Sequence, residues 1–203
     1  MPKLLYQGHG SFRLTADDGR VIYVDPYVGE GYDLPADVIL VTHQHGDHNK
    51  IELVTQKDDC VIFSNREAIE AGLHMTCHID DGDMTFEAVE AYNKNHDPAE
   101  CVGFIIDFDG VKIYASGDTS RTKQMESFAA MNLDYALLCG DGVYNMNPEE
   151  AAECARLIGA KHNILIHMKP GALFDRETAE GWTAPNKLIV EPGEEIELDK
   201  EGT

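Results

Sequence analysis

Basic residues are scarce in this chain: 16 Lys and Arg stand against 37 Asp and Glu, a net charge of −21. Such a field repels polyanions, and the basic footprint of nucleic-acid binders is missing. No nucleic-acid partner is therefore expected, and a nuclease is the less favoured reading. Long apolar runs are also missing. None approaches the ~20 residues that cross a bilayer, so no membrane partner is expected. Met1-Pro2-Lys3-Leu4-Leu5-Tyr6 lacks a signal peptide's apolar core and cleavage site. The five cysteines (Cys60, Cys77, Cys101, Cys139, Cys154) are odd in number and form no C-x-x-C. That argues against a disulfide framework and for reduced, buried thiols. A cytoplasmic location is the expectation. No linker, low-complexity tract or repeat is visible, so residues 1–203 are expected to form a single domain with a substantial core.

What is present is concentrated in Thr42-His43-Gln44-His45-Gly46-Asp47-His48. Three imidazoles and a carboxylate occupy residues 43–48, directly after the apolar run Asp37-Val38-Ile39-Leu40-Val41. Imidazole is the commonest protein ligand for zinc-like ions, and carboxylate oxygen is a frequent partner. Four such groups at one strand end suit two ions side by side better than one. On an extended backbone His43 and His45 point the same way, and Gly46 lets the chain turn before Asp47 and His48.

Apolar alternation and turn chemistry predict strands over 4–6, 11–15, 20–24, 37–41, 60–64, 84–91, 102–108, 111–115, 135–139, 162–167 and 187–190. Helices are predicted over 50–56, from a Ser64 or Asn65 cap to Ala71 with Gly72 ending it, over 119–131, and from the Asn147-Pro148-Glu149-Glu150 cap to Ile158 with Gly159 as stop. Asp109-Gly110 predicts a hairpin. Strands in two batches with interspersed helices are satisfied by two stacked sheets with helices outside, among several α/β arrangements.

The His43–His48 run resembles the H-x-H-x-D-H signature of the metallo-β-lactamase superfamily. Other pieces follow in family order. Ile22-Tyr23-Val24-Asp25-Pro26 resembles the strand ending in Asp-Pro, and Ile113-Tyr114-Ala115-Ser116-Gly117-Asp118-Thr119 the strand ending in Gly-Asp. Asn163-Ile164-Leu165-Ile166-His167 resembles the strand delivering the last His. Gly8-His9-Gly10-Ser11-Phe12 matches a branch of small hydrolases related to L-ascorbate-6-phosphate lactonase. The resemblance implies an α+β fold, the four-layer αββα sandwich, with the site at the rim between the sheets.

It also implies roles. His43 and His45 would ligate a first metal, Asp47 and His48 a second; Asp118 would bridge them and His167 complete the second site. Many members supply a third His to the first metal. The matching position here is Asn93, a poorer ligand for such ions, and His96 lies three residues on; either is a possible metal or substrate contact, and His96 reads equally as an exposed loop His. Asp25 could accept the free ring N–H of a liganding His, and His9 could line the same cleft or sit in a surface turn. Gly140-Asp141-Gly142-Val143-Tyr144 reads equally as a pocket wall and as a plain turn.

The expected protein is a metal-dependent hydrolase carrying one or two divalent ions, zinc first, with manganese, iron or nickel as alternatives. Metal-activated water would be the nucleophile, and Asp47 would orient it and carry its proton as the catalytic carboxylate. The partner would be a small polar or anionic metabolite with a lactone, ester, amide or phosphodiester bond. Self-association stays open. The alternative is a non-catalytic metal- or ligand-binding domain of the same fold, favoured only by Asn93.

Overall fold

A computed structural model describes residues 1–80 and 83–199. Among them the strands form two mixed sheets and a small two-stranded ribbon. The first sheet holds β1 (Lys3–Gly8), β2 (Ser11–Thr15), β3 (Val21–Val24), β4 (Ala36–Val41), β5 (Gln56–Ser64) and β15 (Glu195–Glu197), in the order β15-β1-β2-β3-β4-β5. The second holds β8 (Thr76–Ile79), β9 (Met84–Glu90), β10 (Val102–Phe108), β11 (Val111–Ala115), β12 (Tyr135–Cys139), β13 (His162–Ile166) and β14 (Lys187–Leu188) in the order β14-β13-β12-β11-β10-β9-β8.

Alternation along the strands sends one set of side chains between the sheets, where Phe12, Leu14, Ile22, Leu40, Phe86, Phe104, Ile106, Ile113 and Leu137 form the main core. The other face of the second sheet packs Tyr114, Ala136, Leu138 and Leu165 against α2 (Met125–Phe128), α3 (Pro148–Ile158) and α4 (Arg176–Gly181). The outer face of the first sheet is covered more thinly, by Val54 after a single 3-10 turn and by Tyr32 and Leu34. This is the α+β sandwich of the metallo-β-lactamase fold.

The topology gathers chemistry at one rim. β3 runs parallel to β4, and β11 parallel to β12 and β13. Carboxyl ends of parallel strands converge, and side chains just beyond them share a crevice. Asp25 follows β3, His43–His48 follow β4, Asp118 follows β11, Asp141 follows β12 and His167 follows β13. The Val102 N–H donates to the Thr42 carbonyl at 3.0 Å and ties the two sheets together there.

Three predicted helices differ. Residues 50–56 give only the 3-10 turn Ile51–Leu53, because β5 already starts at Gln56. The helix capped by Ser64 ends after α1 (Asn65–Ala68). Ala71 and Gly72, both at positive φ, make a hairpin turn between β6 (Ile69–Glu70) and β7 (Leu73–His74) rather than a helix stop. Residues 119–124 are not helical. The Ser120 N–H goes to the Tyr92 carbonyl and the Arg121 N–H to Glu150, so helix starts only at Met125. The short elements β6, β7, β8, β15 and α4 carry no strong periodic signal. Asn147 caps α3, with Pro148 in its first turn and Gly159 at φ +68 ending it, as predicted.

Candidate metal centre

The Asp118 carboxylate is the hub. Its Oδ1 lies 3.3 Å from His48 Nε2. Its Oδ2 lies 3.4 Å from both His96 Nε2 and His167 Nε2, and 4.0 Å from His43 Nε2. Around it the side chains form three sets with mutually close donor atoms: His43, His45 and His96; His43, His48 and Asp118; and His9, Asp47, His48 and His167. His43, His48, His96, Asp118 and His167 are buried, His45 is exposed, and Asp47 is partly exposed.

Local backbone makes this possible. His9, Asp25 and His167 sit at φ +57, +47 and +46. The left-handed region costs energy for residues with a Cβ, and three such residues within one site mark stored strain. The His167 N–H donates to the His9 carbonyl at 2.8 Å, and the Tyr6 hydroxyl donates to the same carbonyl at 2.8 Å. Gly117, at φ +57, precedes Asp118; a Cβ there would stand 2.7 Å from the Val102 carbonyl oxygen and 2.9 Å from Thr42 Cβ.

Hydrogen bonds fix the His43 and His48 rings. Asp25 Oδ1 accepts the Thr42 N–H at 2.8 Å, and its Oδ2 accepts the Thr42 hydroxyl at 2.7 Å. Asp25 Oδ2 also lies 2.8 Å from His48 Nδ1. Because that hydroxyl donates to Asp25, its oxygen accepts from His43 Nδ1 at 3.0 Å. His43 Nε2 and His48 Nε2 are thereby turned into the cleft. Asp141 Oδ2 lies 3.1 Å from His167 Nδ1, an ion-pair contact without hydrogen-bond alignment. Asp141 is itself pinned by the Val143 and Tyr144 N–H groups and the Asn145 amide. His9 Nε2 reaches Asp47 Oδ2 at 3.0 Å.

Electrostatics follow from burial and crowding. Burial and the neighbouring His48 push the His43 imidazole down to about 2. Burial opposes a proton on His48, but Asp118 and Asp25 outweigh it and hold that ring up at about 9. Burial works against ionising Asp118, yet His48, His167 and His43 keep its carboxyl well below the usual range. Asp141 is held at about 2: burial is overcome by His167 and the two backbone N–H groups.

The donor set fits a divalent cation. His48 Nε2, Asp118 Oδ1 and His167 Nε2 are buried and have no hydrogen-bond partner among the described residues. Buried polar atoms left unsatisfied are costly, and imidazole with carboxylate is the donor chemistry of zinc-like ions.

The family profile of the beta-lactamase superfamily domain matches residues 3–168. The chain belongs to that superfamily. A metal-dependent hydrolase of Methanoculleus marisnigri is 29% identical over 98% of this chain and 98% of its own length. One from Thermococcus onnurineus is 28% identical over 98% of this chain and all of its own length. Among solved structures, a proposed metal-dependent hydrolase of Parabacteroides distasonis has a TM-score of 0.72 at 27% identity, covering 92% of this chain and 91% of that one. The metallo hydrolase Igni18 of Ignicoccus hospitalis has a TM-score of 0.74 at 22% identity, covering 98% and 99%, a likeness of fold.

In this beta-lactamase superfamily chain, the sequence-predicted residues His43, His45, Asp47, His48, Asp118 and His167 all converge. Of the pair left open, His96 joins His43 and His45. Asn93 stands behind it, its Oδ1 2.9 Å from His96 Nδ1. An imidazole, not the Asn93 amide, therefore stands beside the His43/His45 pair. His9 joins the Asp47, His48 and His167 set rather than a surface turn. The 140–144 run, open in sequence between a pocket wall and a plain turn, brings Asp141 to His167; its one signal is a Gly-Asp-Gly run just past an apolar strand. Two cavities open beside the centre: one of about 230 Å³ lined by His45, Asp47, His96, Asp118, Tyr144 and His167, and one of about 520 Å³ lined by His43, His45, Arg66 and their neighbours.

Proposed function

We propose that this metal-dependent hydrolase cleaves a small polar or anionic metabolite at a two-ion centre. His43, His45 and His96 would hold one divalent ion and Asp47, His48 and His167 another, with the Asp118 carboxylate available at the centre of both sets. The observation that carries this reading is the convergence of four imidazole Nε2 atoms within 4.0 Å of the Asp118 carboxylate. Zinc is the expected ion, since the donors are mostly imidazole.

When bound, divalent metal lowers the pKa of water towards about 7 and polarises the oxygen under attack. The protein's own groups do the rest. Asp25, through His48 and through Thr42 to His43, fixes two rings, and Asp141 lies beside a third. Asp47 is the accessible carboxylate: it lines the 230 Å³ cavity and is 37% exposed. His9 and His48 outweigh burial and keep it ionised, ready to orient water and to receive its proton. Its Oδ2 is held by His9, and this chemistry requires no Ser or Cys nucleophile.

The Gly8-His9-Gly10-Ser11-Phe12 run resembles that of the branch related to L-ascorbate-6-phosphate lactonase, and lactones, esters, amides and phosphodiesters are all within reach of this chemistry. Side chains from residue 9 to residue 167 meet in one centre, which supports reading the chain as a single domain. Five free cysteines support a reducing, cytoplasmic setting. No helix among the described residues is long and apolar enough to cross a membrane. The test is a screen of lactones, esters and phosphodiesters against the metal-loaded protein. Turnover lost on chelation and regained with zinc or manganese supports the reading; metal uptake without turnover of any class contradicts it.

A further inference from the structure

The largest cavity beside the centre contains an arginine with no assigned partner. This cavity of about 520 Å³ is lined by His43 and His45 on one side and by Asn65, Arg66, Glu100 and Cys101 on the other. Four of the other five arginines, Arg13, Arg20, Arg121 and Arg176, are held in ion pairs. Among the described residues no carboxylate lies within 4.0 Å of the Arg66 guanidinium, although the chain carries a net charge of −21. Glu100 lines the same cavity without pairing to it.

The wall that carries Arg66 is built firmly. The Arg66 N–H donates to Ser64 Oγ at 3.2 Å, and Glu67 Oε2 accepts from the Ser64 N–H and from the Ser64 hydroxyl. The Gln44 amide donates to Asn65 Oδ1 at 2.7 Å, and the Asn65 amide donates to the Glu100 carbonyl at 2.7 Å. Gln44 stands between His43 and His45, so this chain of bonds fixes the arginine's wall relative to the centre. The backbone is held, while the exposed Arg66 side chain lines this cavity and a smaller one beside Glu67, whose carboxylate it attracts without an ion-pair contact. The guanidinium's planar fork of donors matches the paired oxygens of a carboxylate or phosphate.

We propose that Arg66 is the specificity-determining residue of the centre, selecting substrates that carry an oxyanion group, carboxylate or phosphate, on the His43/His45 side of the scissile bond. The inference rests on the hydrolase reading of that centre. Glu100 in the same cavity disfavours a second negative group, so the oxyanion is single and the adjoining part of the substrate is neutral or cationic.

Phenylglyoxal labelling of Arg66 in the metal-loaded protein, read by peptide mass spectrometry, tests the contact without turnover. Succinate or methyl phosphate slows labelling of Arg66 and neutral succinamide does not; whichever anion acts at lower concentration names the group. Equal labelling under all three conditions overturns the inference. A second measurement compares kcat/KM for mono-4-nitrophenyl succinate with that for 4-nitrophenyl butyrate. The ratio falls about tenfold in Arg66→Gln, the scale of one lost charge-assisted contact, through KM rather than kcat. It is kept in Arg156→Gln, an exposed arginine on α3. An unchanged ratio in Arg66→Gln overturns the inference even if both esters are cleaved. Anion protection with neither ester cleaved leaves Arg66 standing and counts against ester hydrolysis at the centre.

Discussion

Asn93 Oδ1 lies 2.9 Å from His96 Nδ1, and an amide oxygen can only accept. Nδ1 therefore carries the hydrogen, and the His96 Nε2 lone pair is left facing Asp118 and the His43/His45 pair. The Asn93 amide is oriented by its own bonds: Oδ1 also accepts the Asn95 N–H at 2.8 Å, and Nδ2 donates to Asn145 Oδ1 at 3.1 Å. An asparagine that reads in sequence as a missing ligand thus sets the tautomer of a nearby histidine.

That arrangement predicts an order of effects. His96→Ala removes a donor atom and should weaken one metal site most. Asn93→Ala keeps the donor but frees its ring, and should cost about 10–100-fold in affinity, the usual scale for an outer partner. Calorimetric titration of metal-free protein reads both. Unchanged affinity in His96→Ala would show that the ring is a bystander.

Asp25 accepts from Thr42 twice and holds the His48 ring, all within the buried rim. Asp25→Ala leaves these donors unpaired and should lower stability by about 3 kcal/mol or more, since each orphaned buried partner costs roughly 1–3 kcal/mol. Asp25→Asn keeps the volume and tolerates the positive φ, so it should lose less. Denaturant midpoints of the metal-free variants compare them.

Glycine positions give a paired test. Gly110→Ala, in a hairpin turn with open space around its Cβ, should cost only about 1 kcal/mol for the positive φ. Gly117→Ala meets backbone and Thr42 atoms at under 3.0 Å and should cost clearly more, while also displacing Asp118. Similar unfolding midpoints for the two variants would mean that the turn before Asp118 yields easily.

Asp47→Asn should keep the fold and lose about 10²–10⁴ in rate on whichever substrate class the screen identifies, the range for general acid–base help. Near-normal turnover in the folded variant would remove Asp47 from the chemistry.

Much of the centre is legible in the sequence because its donors are crowded: His43, His45, Asp47 and His48 follow one apolar strand, Asp118 comes three residues after another, and His167 directly follows a third. The parallel strand ends then leave little freedom about where these side chains meet. His96 stays open in sequence because its place depends on the reciprocal backbone bonds between Asn93 and His96, a bridge with no pattern of its own. Asp141 looks like a turn residue because it also does what turn aspartates do, accepting the N–H groups of Val143 and Tyr144. The helix expected over 119–131 fails at its start for a tertiary reason: Ser120 and Arg121 give their N–H groups to distant acceptors. Gly72 misleads because a glycine at positive φ serves a hairpin turn as well as a helix end.

The central claim is a divalent metal centre organised around Asp118. Its most direct test is elemental analysis of the zinc-reconstituted, desalted protein, with wild type and Asp118→Ala measured side by side. Two ions per wild-type chain, with a clear loss in a folded Asp118→Ala, is the predicted result. Wild-type protein that retains no divalent metal, or Asp118→Ala that retains as much as wild type, would contradict it.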